Sequence, residues 1–256
     1  MLQHLNRTAT PYVVSGAFAL QQHTGIWRNT KDLDVFLPPE VVPDTLRHLQ
    51  QEGFETEIPD PVWLAKAHRD GYFVDLITGM GNAIITVDQS WIDRGSAAEV
   101  LGVPTRVLAA EELIASKLFV NFRERFDGAD VVHIIYGAHG KLDWTRIRQL
   151  VGEHWEILFW ELVLFHYVYP SKVKYVPREV WDDFLVRFQN ELAHPTTRDS
   201  FRGSLLDEKM FAIDVREWGL EDLLQENRER REPKIMPIPG TDTPGAVATD
   251  EMETEQ

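Results

Sequence analysis

Two periods of apolar residues divide this chain. Up to about residue 110, short apolar runs alternate with polar positions and are cut by Gly and Pro. That is a strand pattern, because strand side chains alternate between two faces. Strands are expected at residues 12–14, 30–37, 54–58 and 72–77, with a hairpin over 99–108 turning at Gly102. Residues 17–23 and 41–52 have helical spacing instead, the second with Val42, Leu46 and Leu49 on one stripe. Gly25 and Gly53 follow them, where a glycine closes a helix. Residues 1–10 read as a short helix or lead-in, and 63–68 fit neither period.

Beyond residue 109 apolar positions recur at three and four. A helix is expected from Ala109 to about Phe126, with Leu113, Ile114, Leu118 and Phe122 buried and Lys117 beside that stripe. Asp143 is placed to cap a helix over 144–151. Residues 155–168 form a strongly apolar helix that Pro170 ends. Residues 178–192 follow, with Val180, Phe184, Leu185 and Phe188 inward, then another helical stretch over 201–218. Residues 221–231 are charged and expected to fray. The last stretch, 233–256, is rich in Pro, Gly, Thr and acids and holds too few large apolar groups to order itself.

Charge narrows the partners. The chain has 26 Lys and Arg against 41 Asp and Glu, a formal charge of −15. The segment 232–256 holds six of the acids and one lysine, so the body stays acidic without it. An acidic body disfavours broad nucleic-acid binding. It leaves room for a local basic groove from Arg123, Arg125, Lys172, Lys174 and Arg178, although each alone is an ordinary solvated charge. Cysteine is absent, which excludes disulfides and thiolate metal sites and suits a reducing cytoplasm. The start has no apolar leader segment. The run 157–169 is broken by Glu161 and His166 and falls short of the roughly 20 residues that a bilayer needs. A cytoplasmic location without membrane contact is expected.

The candidate chemistry lies in residues 13–38. A small-residue turn, Ser15-Gly16, follows a short apolar run and opens a helix. Free amides at such a turn suit phosphates. Asp32-Leu33-Asp34 then leads into the next strand, with both acids on one face and Cα atoms about 7 Å apart. Carboxylates so spaced can converge on one divalent ion or on a pair of them. A third acid, Asp75, stands inside the apolar strand at 72–77. Three carboxylates meeting at one site repel each other, and burial raises the cost of their charge. A cation is the simplest remedy.

Turn, acid pair and third acid, in this order and spacing, resemble the nucleotidyltransferase superfamily that shares its core with DNA polymerase β. Arg28-x-Thr30-x-Asp32-x-Asp34 resembles its stand-alone bacterial members, including the AbiEii-like toxins. The likeness spans roughly residues 11–135. It departs from the family pattern in the order Ser-Gly, at Phe126, where a basic residue is common, and at Gly128.

The resemblance implies an α/β fold, a mixed sheet with flanking helices, followed by a mostly helical region. Together with the apolar pattern and the composition of the tail, this divides the chain into a catalytic core over 1–110, a helical domain over 111–225 and a disordered tail over 226–256. It implies transfer of a nucleoside monophosphate from an NTP such as ATP to a hydroxyl on tRNA, a protein or a small molecule. Asp32, Asp34 and Asp75 would hold Mg²⁺, with Mn²⁺ as an alternative. Ser15 and Gly16 would cradle phosphates, and Lys117, Arg28, Thr30 and Asp127 would complete the nucleotide site. Lys117 has a plain alternative as an edge-of-core lysine, Asp127 as an arginine's partner, and Arg28 as the partner of Asp32. A toxin's role with an antitoxin partner is also implied. The competing reading is a degenerate member that binds a nucleotide or a protein without turnover.

Overall fold

The structure is a computed structural model describing residues 1–30, 32–195 and 201–241. Helix α1 (Leu2–Arg7) precedes strand β1 (Val13–Val14), helix α2 (Gly16–Thr24) and strand β2 (Asp32–Phe36). Helix α3 (Val42–Gln51) leads to β3 (Glu55–Asp60), β4 (Leu64–Arg69) and β5 (Tyr72–Ile77). Helix α4 (Gln89–Arg94) comes before the hairpin of β6 (Ser96–Val100) and β7 (Val103–Val107). Helix α5 (Ala110–Lys117) is followed by a small hairpin, β8 (Asn121–Phe122) and β9 (Arg125–Phe126). Four helices then succeed one another: α6 (Gly128–Gly137), α7 (Trp144–Val151), α8 (Trp155–Val168) and α9 (Arg178–Ala193). Two short ones, α10 (Ala212–Arg216) and α11 (Leu223–Arg230), lie beyond residue 201.

Seven strands form one mixed sheet in the order β3-β4-β5-β2-β1-β7-β6. Strand β2 is parallel to β5 and antiparallel to β1, and β1 is parallel to β7. The α/β architecture with flanking helices and a helical continuation is therefore present. Register follows from side-chain alternation. Leu33 pairs with Val74 and Val35 with Leu76, and all four are buried. Burying each such side chain stabilises the fold by about 1.5–3 kcal/mol. A one-residue slip would turn Asp34 and Asp75 into that core, so the same burial fixes where the acids point. Helix α2 packs on β2 and β7 and touches α5 and α6, which bring their side chains to the end of β1 and β2.

Several expectations change. The helix expected to reach Phe126 stops at Lys117. Asn121 Nδ2 donates to the Leu118 carbonyl at 2.7 Å and the Asp127 amide to Val120 at 3.0 Å, which closes a hairpin and leaves Phe122 exposed. Residues 64–69 are a strand whose alternation is written in Ala65 and Ala67, too small to give a strong apolar signal. In α9 only Val180 and Phe184 are buried, whereas Leu185 and Phe188 face outward. Residues 201–218 are mostly turns and docked chain rather than one helix.

The charged stretch at 221–231 does not hang free. Helix α11 carries Arg228, which donates to the Gly81 carbonyl at 2.6 Å and to Asp60 at 2.8 Å. Ile235 and Ile238 are buried, and the Ile235 amide donates to Pro61 at 2.8 Å. The tail expected to lack order thus begins with packed residues, and 242–256 lie outside the described residues. Among those described, no helix is long and apolar enough to cross a membrane.

Candidate active site

Three neighbouring strands set a row of polar groups across the sheet. The Ser15 amide donates to the Asp34 carbonyl at 2.9 Å, and Asp34 is in register with Asp75 on β5. Turn, first acid and second acid are thus each one strand apart, a step of about 4.8 Å. Asp32 lies two residues earlier on β2, opposite Phe73. Gly16 has φ +57°, and a Cβ there would run into the Asp34 carboxylate. Only glycine lets the chain turn this close to the acid. The first amides of α2 have no helical partner, and Ser15 gives them no side-chain cap, so they remain available at the row's end.

The row has more negative charge than its surroundings compensate. Burial pushes the Asp34 carboxyl up to about 6, and the neighbouring Asp75 and Asp32 push it the same way. Lys66 Nζ on β4 lies 2.9 Å from Asp75 Oδ1, yet the geometry does not make a hydrogen bond and that buried oxygen stays unbonded. Lys66 is a resident countercharge that sequence reasoning missed, because its strand was illegible.

A second cluster stands beside the row. Lys117 is buried, with Nζ 2.7 Å from Asp127 and 2.9 Å from Asp130. Arg125 makes two bonds to Asp127, at 3.0 and 2.9 Å. Burial alone would raise Asp127, but these two cations hold its carboxyl below the usual range. An ammonium has three donors, so Lys117 keeps one for another anion. Arg28 pairs with Asp130 at 2.6 Å and not with Asp32. Thr30 exchanges hydrogen bonds with the Asp32 backbone, at 3.1 and 3.2 Å, and fixes the start of β2. Asp130, in the first turn of α6 just beyond the capping position of Asp127, joins two cations to the site.

Behind the cluster is Glu161, on α8. It is 1% exposed, neither carboxylate oxygen has a hydrogen-bond partner, and burial pushes it up to about 7. A Cβ on Gly128 would meet Glu161 and the Phe126 ring, which accounts for the glycine at the start of α6.

Row and cluster open into one cavity of about 350 Å³. Ser15, Gly16, Asp34, Asp75, Lys117 and Arg125 line its polar end, with Asp127 alongside. Asp32, Arg28 and Thr30 are not part of the lining. Among the described residues no three His, Asp or Glu side chains come together as a ready-made metal cage. The expected trio divides: Asp34 and Asp75 face the cavity and Asp32 flanks them. A pair still suits Mg²⁺, which commonly takes one or two carboxylates plus substrate phosphate oxygens. The raised Asp34 carboxyl and the unbonded Asp75 oxygen fit such an ion.

Residues 1–156 match the family described as nucleotidyl transferase of unknown function, DUF2204. The chain belongs to this nucleotidyl transferase family. It is an enzyme of that class. The matched stretch contains the row and the Lys117 cluster, whereas Glu161 and everything beyond residue 201 lie outside it. No curated protein matches the chain in sequence. Among solved structures it is similar to the antibiotic-resistance factor ANT(2'')-Ia, at 16% identity and TM-score 0.38, over 65% of this chain and 92% of that one. It is similar to lincomycin-bound LnuA, a lincosamide antibiotic adenylyltransferase, at 14% and 0.39, over 52% and 90%. An antigenic nucleotidyltransferase-like protein from Paracoccidioides brasiliensis gives 15% and 0.41, over 68% and 88%.

Proposed function

We propose that this nucleotidyl transferase moves a nucleoside monophosphate from an NTP to a hydroxyl acceptor, and that Asp34 and Asp75 hold the divalent ion it uses. The observation that carries the reading is the row of Ser15-Gly16, Asp34 and Asp75 across adjacent strands, with Asp34 pushed up first by burial and then by Asp75 and Asp32. The free α2 amides bind the terminal phosphates. Lys117 and Arg125 offset phosphate charge while Asp127 and Asp130 hold them in place. Asp75 orients the acceptor hydroxyl and receives its proton. Asp32 tunes Asp34 by its charge and completes the donor set as the outer acid. A divalent ion there supplies charge neutralisation of the triphosphate and polarisation of the reacting oxygens.

Thermal unfolding with and without Mg²⁺ and each NTP tests this. An NTP should raise the midpoint only with the divalent ion, and Asp34→Asn should abolish the rise. Equal stabilisation without metal would count against the carboxylate pair. One observation favours a second reading, in which Lys66 and not a metal ion offsets the charge of Asp75: its Nζ already lies 2.9 Å from that carboxylate. That reading predicts metal-independent binding, and Lys66→Met would then weaken it.

A further inference from the structure

The same cavity has an apolar end, and its position relative to the row assigns it an occupant. We infer that the acceptor, granted the nucleotidyl transfer proposed above, is a small, largely apolar molecule bearing a hydroxyl and is bound between β5 and the chain beyond residue 201. Phosphates belong on the β1 side of Asp34, at the Ser15-Gly16 turn. In-line displacement puts the attacking oxygen opposite the leaving group. The acceptor therefore approaches from the β5 side, past Asp75.

That side is apolar. Phe36 and Ile77 are register partners, one alternation step beyond Asp34 and Asp75 on the same face. Trp63 and Met80 continue the lining. Leu205, Leu206 and Leu224 form the facing wall, from outside the stretch that matches the family. The wall is pinned to the sheet side at several points. Asn82 Nδ2 donates to the Leu205 carbonyl at 3.0 Å, and Asp207 accepts from the Arg123 amide at 2.9 Å. Arg228 is bound to Asp60 and Gly81, and within the wall Leu224 N donates to Ser204 Oγ at 3.4 Å.

A polyanionic acceptor finds little to hold it here. Of the cations near this end, Arg228 is committed to Asp60 and Lys66 to Asp75, and Glu208 adds negative charge to the lining. The whole cavity holds about 350 Å³, phosphate end included, which leaves its apolar end room for a small acceptor and not for a polymer. The transfer balances without further reagents. The acceptor oxygen bonds to the α-phosphorus, and the bond from that phosphorus to the bridging oxygen breaks. Pyrophosphate leaves with the electron pair, and the hydroxyl proton passes to the Asp75 carboxylate.

The full chain would be given Mg²⁺ and α-labelled NTPs with benzyl alcohol, cinnamyl alcohol, tyrosol and octanol as probes, and with unfractionated tRNA and casein as polymer probes. Label is expected on one or more alcohols and on neither polymer. Leu224→Trp, which fills the apolar end, should raise KM for the labelled alcohol about tenfold and leave KM for the NTP within about twofold. Leu206→Ala, which widens the end, should extend acceptance to bulkier alcohols, and it serves if the tryptophan variant does not fold. Label on tRNA or casein, or a rise in NTP KM alone, would overturn the assignment. So would metal-dependent NTP binding with no alcohol labelled, which leaves the transferase reading standing. Absence of metal-dependent NTP binding would instead overturn that underlying reading.

Discussion

Asp34 costs the fold something when it is ionised. Its folded carboxyl is pushed from 3.8 to about 6 by burial, Asp75 and Asp32, so the metal-free protein keeps it protonated up to about pH 6. Stability permitted by this group is complete below about pH 3.8 and falls as pH rises toward 6. Asp34→Asn should therefore raise the unfolding midpoint of metal-free protein at pH 8 while abolishing transfer; a lowered midpoint would show that the charge is already balanced. Glu161 behaves alike, raised from 4.5 to about 7 by burial alone, a penalty of roughly 3 kcal/mol at pH 8. Denaturant titrations at pH 5 and pH 8 should show Glu161→Gln gaining on the wild type at both, and by much more at the higher pH. Asp34 and Asp75 were legible because two acids at spacing two and a third inside an apolar strand are an anomaly. Glu161 lay in plain view as a break in an apolar helix, but nothing in the chain could say that no partner would meet it.

The β8–β9 hairpin shows how elements can mislead. Leu113, Ile114, Leu118 and Phe122 keep helical spacing past the point where α5 ends. What stops the helix is not in its periodicity: Lys117 is drawn into a buried pair with Asp127, ten residues on, and the chain must reverse to bring them together. Lys117→Ala should thus be costly, by about 3–5 kcal/mol, because it leaves two buried carboxylates short of a cation. Chemical denaturation would measure it, and a loss below about 1 kcal/mol would make the pair a surface-like one. Strand β4 went unread for the opposite reason. Its inward residues are alanines, and its functional member, Lys66, reads alone as an ordinary polar position.

Across the whole molecule, the sheet was legible and its closure was not. Apolar alternation predicted the mixed α/β core because it is a local signal that repeats. The wall beyond residue 201 is held by hydrogen bonds over more than a hundred positions, from Asn82 to Leu205 and from Arg228 to Gly81 and Asp60. A charged, glycine-punctuated stretch carries no trace of such distant partners. Arg228→Ala should loosen this wall and lower stability by about 1–3 kcal/mol. Limited proteolysis should then cut first within residues 201–231, and an unchanged cleavage pattern would mean the wall is held by its leucines alone.

Nucleotidyl transfer at Asp34 and Asp75 can be read from where a label goes. NTPs labelled at the α- or the γ-phosphate would be incubated in parallel with Mg²⁺, the full chain and a cell extract as acceptor source. The α-label should move to an acceptor and the γ-label leave as pyrophosphate, and both should stop with Asp34→Asn or without the divalent ion. Transfer of γ-label to an acceptor, or α-label transfer that survives Asp34→Asn, would contradict it.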